Sequence, residues 1–278
     1  MAAIHGGAPA DGFGNVMSGV FLFSDLPGLL GRLRAARRIL LALDFDGTLA
    51  PIAGTPDAAS LPRGTAVLLR RLAAGKRTKL AILSGRAVEG LKAKVPLNCI
   101  YAGNHGLEIA GGGISFVHDR AVLARAAVEE ACHGLDAALA GIPGALVERK
   151  GLSATVHYRC VPPPLLRWME ATVRLAVQPF ASSLQIRPAR MAWEIRPLVE
   201  WNKGAAVRLL LERMGPGEPL VVSAGDDATD EDMFRAVPDA ISIQVGRPRA
   251  TAARYRLGSP AQLAAFLRIV ASESGGVR

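Results

Sequence analysis

Two acidic clusters stand out in the sequence, because each directly follows a short apolar stretch. Asp44 and Asp46 lie in the motif DFDGT after residues 39–43, and residues 225–232 read GDDATDED after residues 220–222. Carboxylates two positions apart on an extended chain leave it on the same side. Such a pair suits a nucleophile and a general acid/base, with a cation holding a phosphate between them. A turn that ends a strand is the alternative use of the same residues.

The acidic stretch at residues 225–232 has the oxygen-rich composition that hard cations bind. Mg²⁺ takes one or two carboxylates, together with phosphate and water. The same residues also suit a helix start, with Thr229 or Asp230 as the cap and acids in the first turn. Both uses are compatible, because the metal needs only one or two of these acids. The sequence therefore predicts a divalent-cation site here.

Two more polar residues lie at the ends of predicted elements: Ser84 follows a strand, and Lys203 begins a helix. Ser84-Gly85-Arg86 follows the apolar residues 80–83. The Ser84 hydroxyl is able to bind a phosphoryl oxygen, or to cap the following helix. Lys203 lies in the first turn of a predicted helix, where the helix dipole disfavours a cation. We expect an anionic group nearby to compensate, with a solvated surface lysine as the alternative.

The elements that must position these residues repeat one order: a short apolar strand, a polar loop and a helix. The predicted strands are 39–43, 80–83, 99–102, 220–222 and 240–245. Strands that are apolar on both faces and separated by helices indicate a parallel sheet covered on both sides, an α/β fold. Ligands bind at the carboxyl edge of such sheets, which is where the polar motifs fall.

The middle of the chain follows a different pattern. Between about residues 109 and 197 the apolar residues alternate, which is typical of half-buried strands. The predicted strands there are 146–148, 152–158, 184–187 and 191–196, with helices over 122–140 and 164–177; outside this region, helices are predicted over 27–38, 65–74, 203–214 and 260–271. We interpret 109–197 as an inserted α+β module, 19–108 with 198–278 as the core, and 1–18 as a loose tail.

Composition narrows the classes of protein. The chain has 278 residues, of which 50% are hydrophobic, so it can bury a substantial core. Its net charge of +9 is first explained by solvated arginines on helix faces, with attraction of a small anionic ligand as the second interpretation. No basic run is interleaved with aromatic residues, which argues against nucleic-acid binding. Three dispersed cysteines form no metal or disulfide pattern and fit a reducing cytoplasm. The N-terminus lacks the order of a signal peptide, and its apolar stretch is too short to span a membrane.

In this order and at strand ends, the motifs resemble those of the haloacid dehalogenase phosphohydrolases over residues 39–246, apart from the insert. The resemblance implies a Rossmann-like core with a C2-type cap. It implies Asp44 as nucleophile and Asp46 as general acid/base, with Ser84 and Lys203 holding the phosphoryl group. Mg²⁺ would bind Asp44, the backbone carbonyl of Asp46, and Asp226. Asp227 and Asp230 would be ligands or would support the ligands, and the sequence leaves their roles open.

In addition, several longer sequence motifs are similar to those of the trehalose-6-phosphate phosphatases. The matching pieces are LDFDGTLAPI, LSGR, GNHGLEI, ERKGLSATVHYR, WEIRP, WNKG and GDDATDEDMF. This resemblance implies that cap residues Glu148, Lys150 and Glu194 bind the sugar hydroxyls distal to the phosphate. It places Arg159, with Arg86, near the phosphate. The remaining predicted substrate-binding residues are Gly85, Asn104 and His105.

Several residues of the matching motifs have another interpretation from the sequence alone. Glu148-Arg149-Lys150 is also typical of a charged hairpin turn, and His157 of a half-buried strand. His105 either neighbours the phosphate or orders its loop.

The resemblance implies a Mg²⁺-dependent enzyme of trehalose biosynthesis, which hydrolyses trehalose 6-phosphate through an aspartyl-phosphate. We expect the protein to be cytoplasmic and monomeric. Its partner would be a small sugar phosphate, with no nucleic acid and no membrane. Two alternatives stay open. One is a phosphatase for another sugar phosphate, such as sucrose 6-phosphate or mannosyl-3-phosphoglycerate. The other is a non-catalytic sugar-phosphate sensor, which should have lost Asp44 or Asp46, whereas both are present.

Overall fold

The structure, a computed structural model, describes residues 19–55 and 57–274, so the predicted tail at residues 1–18 lies outside the described residues. Its strands are β1 (Val20–Phe21), β2 (Ile39–Asp44), β3 (Thr78–Leu83), β4 (Ile100–Gly103), β5 (Glu108–Gly111), β6 (Ile114–Val117), β7 (Leu146–Arg149), β8 (Ala154–His157), β9 (Leu184–Ala189), β10 (Ala192–Pro197), β11 (Leu220–Gly225), β12 (Ile241–Val245) and β13 (Tyr255–Leu257). Its α-helices are α1 (Leu26–Ala35), α2 (Arg63–Ala73), α3 (Val88–Lys94), α4 (Asp119–Leu123), α5 (Arg125–Leu139), α6 (Leu166–Val177), α7 (Lys203–Arg213), α8 (Glu231–Ala236) and α9 (Pro260–Ser274). Among these helices, none has the length and apolar character needed to cross a membrane.

A nine-stranded sheet forms the core, in the order β1-β13-β12-β11-β2-β3-β4-β5-β6. The first seven strands in this order, β1 through β4, pair in parallel with their neighbours. Strands β5 and β6 extend the β4 edge of the sheet by antiparallel pairing. Central strand β2 pairs with β11 on one side and β3 on the other, so Leu41 lies between Val222 and Leu80. The predicted α/β class with a parallel sheet is confirmed.

Strand β2 is buried along its whole length between two hydrophobic clusters. Leu41 and Leu43 belong to the cluster that includes residues of α1, α2 and α9. Leu40 and Ala42 belong to the opposite cluster, with residues of α7 and α8. Successive side chains of a strand alternate between its faces, so an apolar run fills both cores. The position of Asp44 at the end of β2 is therefore fixed from two sides.

The inserted module, which we call the cap (residues 119–197), has its own four-stranded antiparallel sheet in the order β7-β8-β10-β9. Val156 and Ile195 pack in one cluster with Cys132 of α5 and with Met169 and Val173 of α6. Because side chains alternate along each strand, the neighbouring polar residues face the other way, towards the core domain. The predicted α+β character of the insert is confirmed.

The insert was predicted to begin at residue 109, but in the structure it begins about ten residues later. Residues 109–117 form most of β5 and β6, which extend the core sheet, since Ile109 pairs with Ala102 and Phe116 pairs with Ile109. The alternating pattern assigned these residues to the insert without predicting individual strands, and such a pattern does not say which sheet a strand joins. The structure also divides the predicted helix over 122–140 into α4 and α5, which meet at Ala124.

The two connections between core and cap meet at Trp201. Its indole stacks on Phe116 with ring centroids 5.1 Å apart, and His118 lies edge-on at the same distance. The Trp201 Nε1–H donates to the carbonyl of Gly106, 2.8 Å away. This aromatic cluster joins the outgoing and returning segments, so the cap leaves the core at one well-packed place.

Candidate active site

Asp44 lies at the carboxyl end of β2, almost fully buried. Its Oδ1 accepts a hydrogen bond from Lys203 Nζ at 2.7 Å, whereas its Oδ2 has no partner among the described residues. Gly47 then reverses the chain with φ of +82°, and a Cβ there would lie 2.1 Å from the Asp226 carboxylate. Glycine thus allows the two acidic loops to approach each other closely.

Lys203 begins α7 and is also buried. Its ammonium group lies 2.7 Å from both Asp44 Oδ1 and Asp230 Oδ1. Burial alone would lower the pKa of Lys203, but Asp230 and Asp44 raise it well above its ordinary value, so the side chain stays charged. The prediction that an anionic group compensates the lysine at this helix start is confirmed.

Three carboxylates converge beside this lysine. One oxygen from each of Asp44, Asp226 and Asp230 lies within 4.8 Å of the other two. Burial, followed by the charges of Asp230 and Asp227, raises the pKa of Asp226 to about 7. Burial is also the main cause that raises the pKa of Asp44 well above its usual range. One lysine does not balance three acids of which two are buried and the third half-buried, and Asp44 Oδ2, which has no partner among the described residues, adds a free ligand atom, so this group fits a hard divalent cation.

The structure separates the roles of Asp227 and Asp230. The Asp227 carboxylate caps a short helical turn and accepts hydrogen bonds from the amide and hydroxyl of Thr229, both at 2.7 Å. The Asp227 amide donates to Asp230 Oδ2 at 3.0 Å, which completes a capping box. Asp230 therefore joins the carboxylate group, and Asp227 orders the loop that carries it.

Asp46 faces the cleft rather than the carboxylate group, because Arg86 holds it. The guanidinium donates two hydrogen bonds to the two Asp46 oxygens, at 2.8 and 2.7 Å, and lies over the Phe45 ring. A paired, planar contact of this kind fixes the orientation of the carboxylate. Ser84, two residues before Arg86, is buried at the end of β3 and lines the same cleft.

Asn104, His105 and Gly106 form a turn in which all three residues have positive φ, at 49°, 59° and 91°. The amides of Asn104 and His105 donate to the carbonyls of Arg86 and Ser84, which ties this turn to the Ser84 loop. The Asn104 carboxamide is fully buried and bonded to other protein groups. The predicted substrate-binding residue Asn104 therefore supports the loop and does not line the cleft.

His105 reaches the cap. Its Nε2 lies 3.0 Å from Glu194 Oε1, and burial is the main cause that lowers the pKa of the imidazole. Burial works to raise the pKa of Glu194, but His105, Lys150 and Arg196 outweigh it and lower that pKa to about 2. A Cβ on Gly85 would lie 2.7 Å from the imidazole, so only glycine lets this contact pass over the Ser84 loop.

On the cap side, Glu148 Oε2 lies 2.8 Å from His157 Nε2 and 3.8 Å from the Lys150 ammonium. Burial opposes ionisation of Glu148, but the His157 hydrogen bond and the Lys150 charge lower its pKa. Arg159 is exposed at the rim. These groups form the roof of a cleft of about 220 Å³ whose floor is the Asp44 site.

All the predicted site residues except Asn104 and the fully buried Asp230 line this one cleft. Among the polar cap residues that line the cleft, three were absent from the predicted set: Thr155, His157 and Arg190. Thr155 and His157 share one face of β8 by alternation, which a strand pattern could have shown. Arg190 lies in the turn between β9 and β10, and no local signal in the sequence points to it.

A Rossmann-like sheet with these carboxylates and a lysine at its carboxyl edge, under an inserted cap, is the fold of the haloacid dehalogenase-like proteins. A haloacid dehalogenase-like hydrolase from Bacteroides thetaiotaomicron has the same fold, with a TM-score of 0.60 at 14% identity over 84% of this chain and 99% of that one. The chain belongs to the trehalose-phosphatase family, whose family model matches residues 42–260.

Curated relatives support this assignment. Trehalose-phosphate phosphatase of Mycobacterium marinum is 38% identical over 240 residues, which are 83% of this chain and 60% of the relative. The protein of that name from Mycobacterium tuberculosis is 38% identical over 267 residues, 91% of this chain and 67% of the relative. The chain thus spans about 60–67% of the length of these relatives. The Candida albicans trehalose-6-phosphate phosphatase C-terminal domain shares the fold, with a TM-score of 0.76, 23% identity and coverage of 93% and 99%.

Proposed function

We propose that this chain hydrolyses trehalose 6-phosphate to trehalose and inorganic phosphate through a phosphorylated Asp44. The observation that carries the proposal is the group of Asp44, Asp226, Asp230 and Lys203, whose members other than the fully buried Asp230 line the floor of a cleft roofed by polar cap residues. The names of the curated relatives support the substrate.

In the first step, an Asp44 oxygen attacks phosphorus in line while the bond from phosphorus to the sugar oxygen breaks. Asp46 donates a proton to the leaving oxygen, and Arg86 orients its carboxyl group over the cleft. Asp46 then takes a proton from water, which attacks phosphorus and releases Asp44. Lys203 and Ser84 bind the phosphoryl oxygens, where negative charge must be stabilised.

Mg²⁺ fits the acidic group, which would hold it through Asp44 and Asp226, with Asp230 beside them. When bound, it would neutralise charge between the carboxylates and the phosphate. Ligation by the backbone carbonyl of Asp46 and by Asp227 stays a prediction.

Mg²⁺ should stabilise the protein more at pH 8 than at pH 5. The folded-state pKa of Asp226 is raised to about 7 from 3.8, so the folded protein holds the proton more tightly than the unfolded chain. The contribution of protonated Asp226 to the free energy of unfolding therefore falls as pH rises from about 3.8 to about 7. Mg²⁺ replaces that proton, and at 100 times its Kd it would add ~2.7 kcal/mol. Thermal unfolding with and without Mg²⁺ measures this, and an equal gain for Asp226→Asn would contradict it.

The substrate is tested with a panel of sugar phosphates that includes sucrose 6-phosphate and mannosyl-3-phosphoglycerate, with released phosphate as the readout. We expect trehalose 6-phosphate to have the highest kcat/KM. A preference below about tenfold, which is ~1.4 kcal/mol, would contradict this substrate. Turnover of none of them would favour a sensor.

Glu148→Ala should reduce kcat/KM for trehalose 6-phosphate by at least about tenfold and leave p-nitrophenyl phosphate nearly unchanged. Glu148 lines the sugar side of the cleft, and loss of a charged hydrogen-bond partner costs about 1.5–3 kcal/mol. Glu129→Ala is the matched control, because Glu129 pairs with Arg149 at the cap surface. Equal losses for both esters would remove the sugar-binding role of Glu148.

We further propose that the protein works as a cytoplasmic monomer, without nucleic-acid or membrane partners. The cytoplasmic location is supported by its three cysteines, which are free thiols.

A further inference from the structure

Thr155 occupies the centre of the cap sheet, on the face towards the cleft. It lies on β8, where it pairs with Glu148 of β7 on one side and with Glu194 of β10 on the other. Adjacent strands are about 4.8 Å apart, so the three side chains form a row across the roof of the cleft. All three residues line the cleft.

The hydroxyl of Thr155 differs from both neighbours in having no hydrogen-bond partner in the part of the chain that the structure describes. The residue is 3% exposed, and its Oγ1 makes no hydrogen bond within the described residues. By contrast, Glu148 is bonded to His157 and Glu194 to His105. A buried hydroxyl without a partner is unfavourable, so its presence at a ligand-binding face suggests that a ligand completes it.

The chemistry of the row fits a polyol. The two carboxylates only accept hydrogen bonds, whereas the Thr155 hydroxyl both donates and accepts. Neighbouring hydroxyls of a sugar ring also donate and accept, so one hydroxyl can bridge Thr155 and a flanking carboxylate. A phosphate would be repelled by Glu148 and Glu194, which places the sugar part of the substrate here.

We propose that Thr155 is a specificity-determining residue whose Oγ1 binds a hydroxyl of the sugar distal to the phosphate. This inference rests on the proposed function, because it assumes that the cleft binds a sugar phosphate. The hydroxyl then recognises the sugar, while the phosphate chemistry at Asp44 does not depend on it.

The test compares Thr155→Val with Ser223→Ala. Valine keeps the shape of threonine and removes the hydroxyl. Ser223 is an equally buried hydroxyl without a partner within the described residues, and it does not line the cleft. Both variants should keep or raise the melting temperature, because each loses an unpartnered buried hydroxyl.

Thr155→Val should lower kcat/KM for trehalose 6-phosphate about tenfold, mainly through KM, and change p-nitrophenyl phosphate less than twofold. Ser223→Ala should change neither, and Thr155→Ser should restore the preference for the sugar ester. If Thr155→Val left the ratio of the two kcat/KM values unchanged, whether by no loss or by an equal loss for both esters, the role of Thr155 would be overturned.

If the wild-type protein hydrolysed p-nitrophenyl phosphate but not trehalose 6-phosphate, the proposed function would fail. The same comparison with the sugar phosphate that it prefers would then decide the role of Thr155.

Discussion

Replacing Asp44 with asparagine is expected to lower trehalose 6-phosphate turnover by at least about 10⁴-fold, the scale seen when a nucleophile is removed. The amide cannot form the acyl phosphate, although its shape is close to that of the acid. Lys203 keeps its contact with Asp230, so the protein should still unfold cooperatively. Initial rates and circular dichroism measure these two properties.

The mechanism is checked by trapping. Acid quenching during turnover should yield phosphorylated wild-type protein by mass spectrometry, with the phosphate on Asp44, and none in Asp44→Asn. Asp239→Asn is the control, because Asp239 is exposed and away from the cleft. Near-normal turnover in Asp44→Asn would show that another group is the nucleophile.

Lys203→Met should destabilise the protein by about 3–5 kcal/mol and abolish turnover, because removal of one partner leaves buried charge uncompensated. Asp44 and Asp230 would lose the ammonium group that lies 2.7 Å from each. The exposed Lys79 provides the control, since Lys79→Met should change the free energy of unfolding by less than about 0.5 kcal/mol.

The destabilisation should depend on pH. The pKa values of Asp44 and Asp230 are already raised, with burial as the main cause, and the lysine opposes this in both. Without it, they would rise further above the unfolded values, and stability would fall as pH rises through that range. Urea unfolding at pH 5 and pH 8 should therefore show a larger deficit at pH 8. A deficit below about 1 kcal/mol at both values would mean that Lys203 does not balance these acids.

Local patterns predicted the elements well because burial on both faces of a strand leaves a continuous apolar run. Residues 39–43, 80–83 and 220–222 are examples, and each lies in a parallel core strand. The pattern was less informative for residues 109–117, which were assigned to the insert without predicted strands and instead form most of β5 and β6 in the core sheet. Pairing partners depend on register and packing across the fold, which no short stretch records.

The sequence also predicted most of the charged side chains that line the cleft, but it did not predict the hydrogen-bond partner of each. Asp44 and Asp46 were expected to act as one pair, but the structure binds the first to Lys203 and the second to Arg86. Asn104 was expected at the substrate, but its buried carboxamide bonds protein groups instead. Hydrogen-bond partners are chosen among groups brought together by folding, so spacing alone did not separate them.

By itself, the sequence determined the α/β core, the inserted cap and the acidic and basic groups at the strand ends, because hydrophobic period and turn residues act locally. Only the tertiary structure placed Asp230 rather than Asp227 among the converging carboxylates, and aligned Thr155 between Glu148 and Glu194. These arrangements join residues far apart in the chain. They depend on strand register and on how buried charges and hydroxyls find partners, which are properties of the folded molecule.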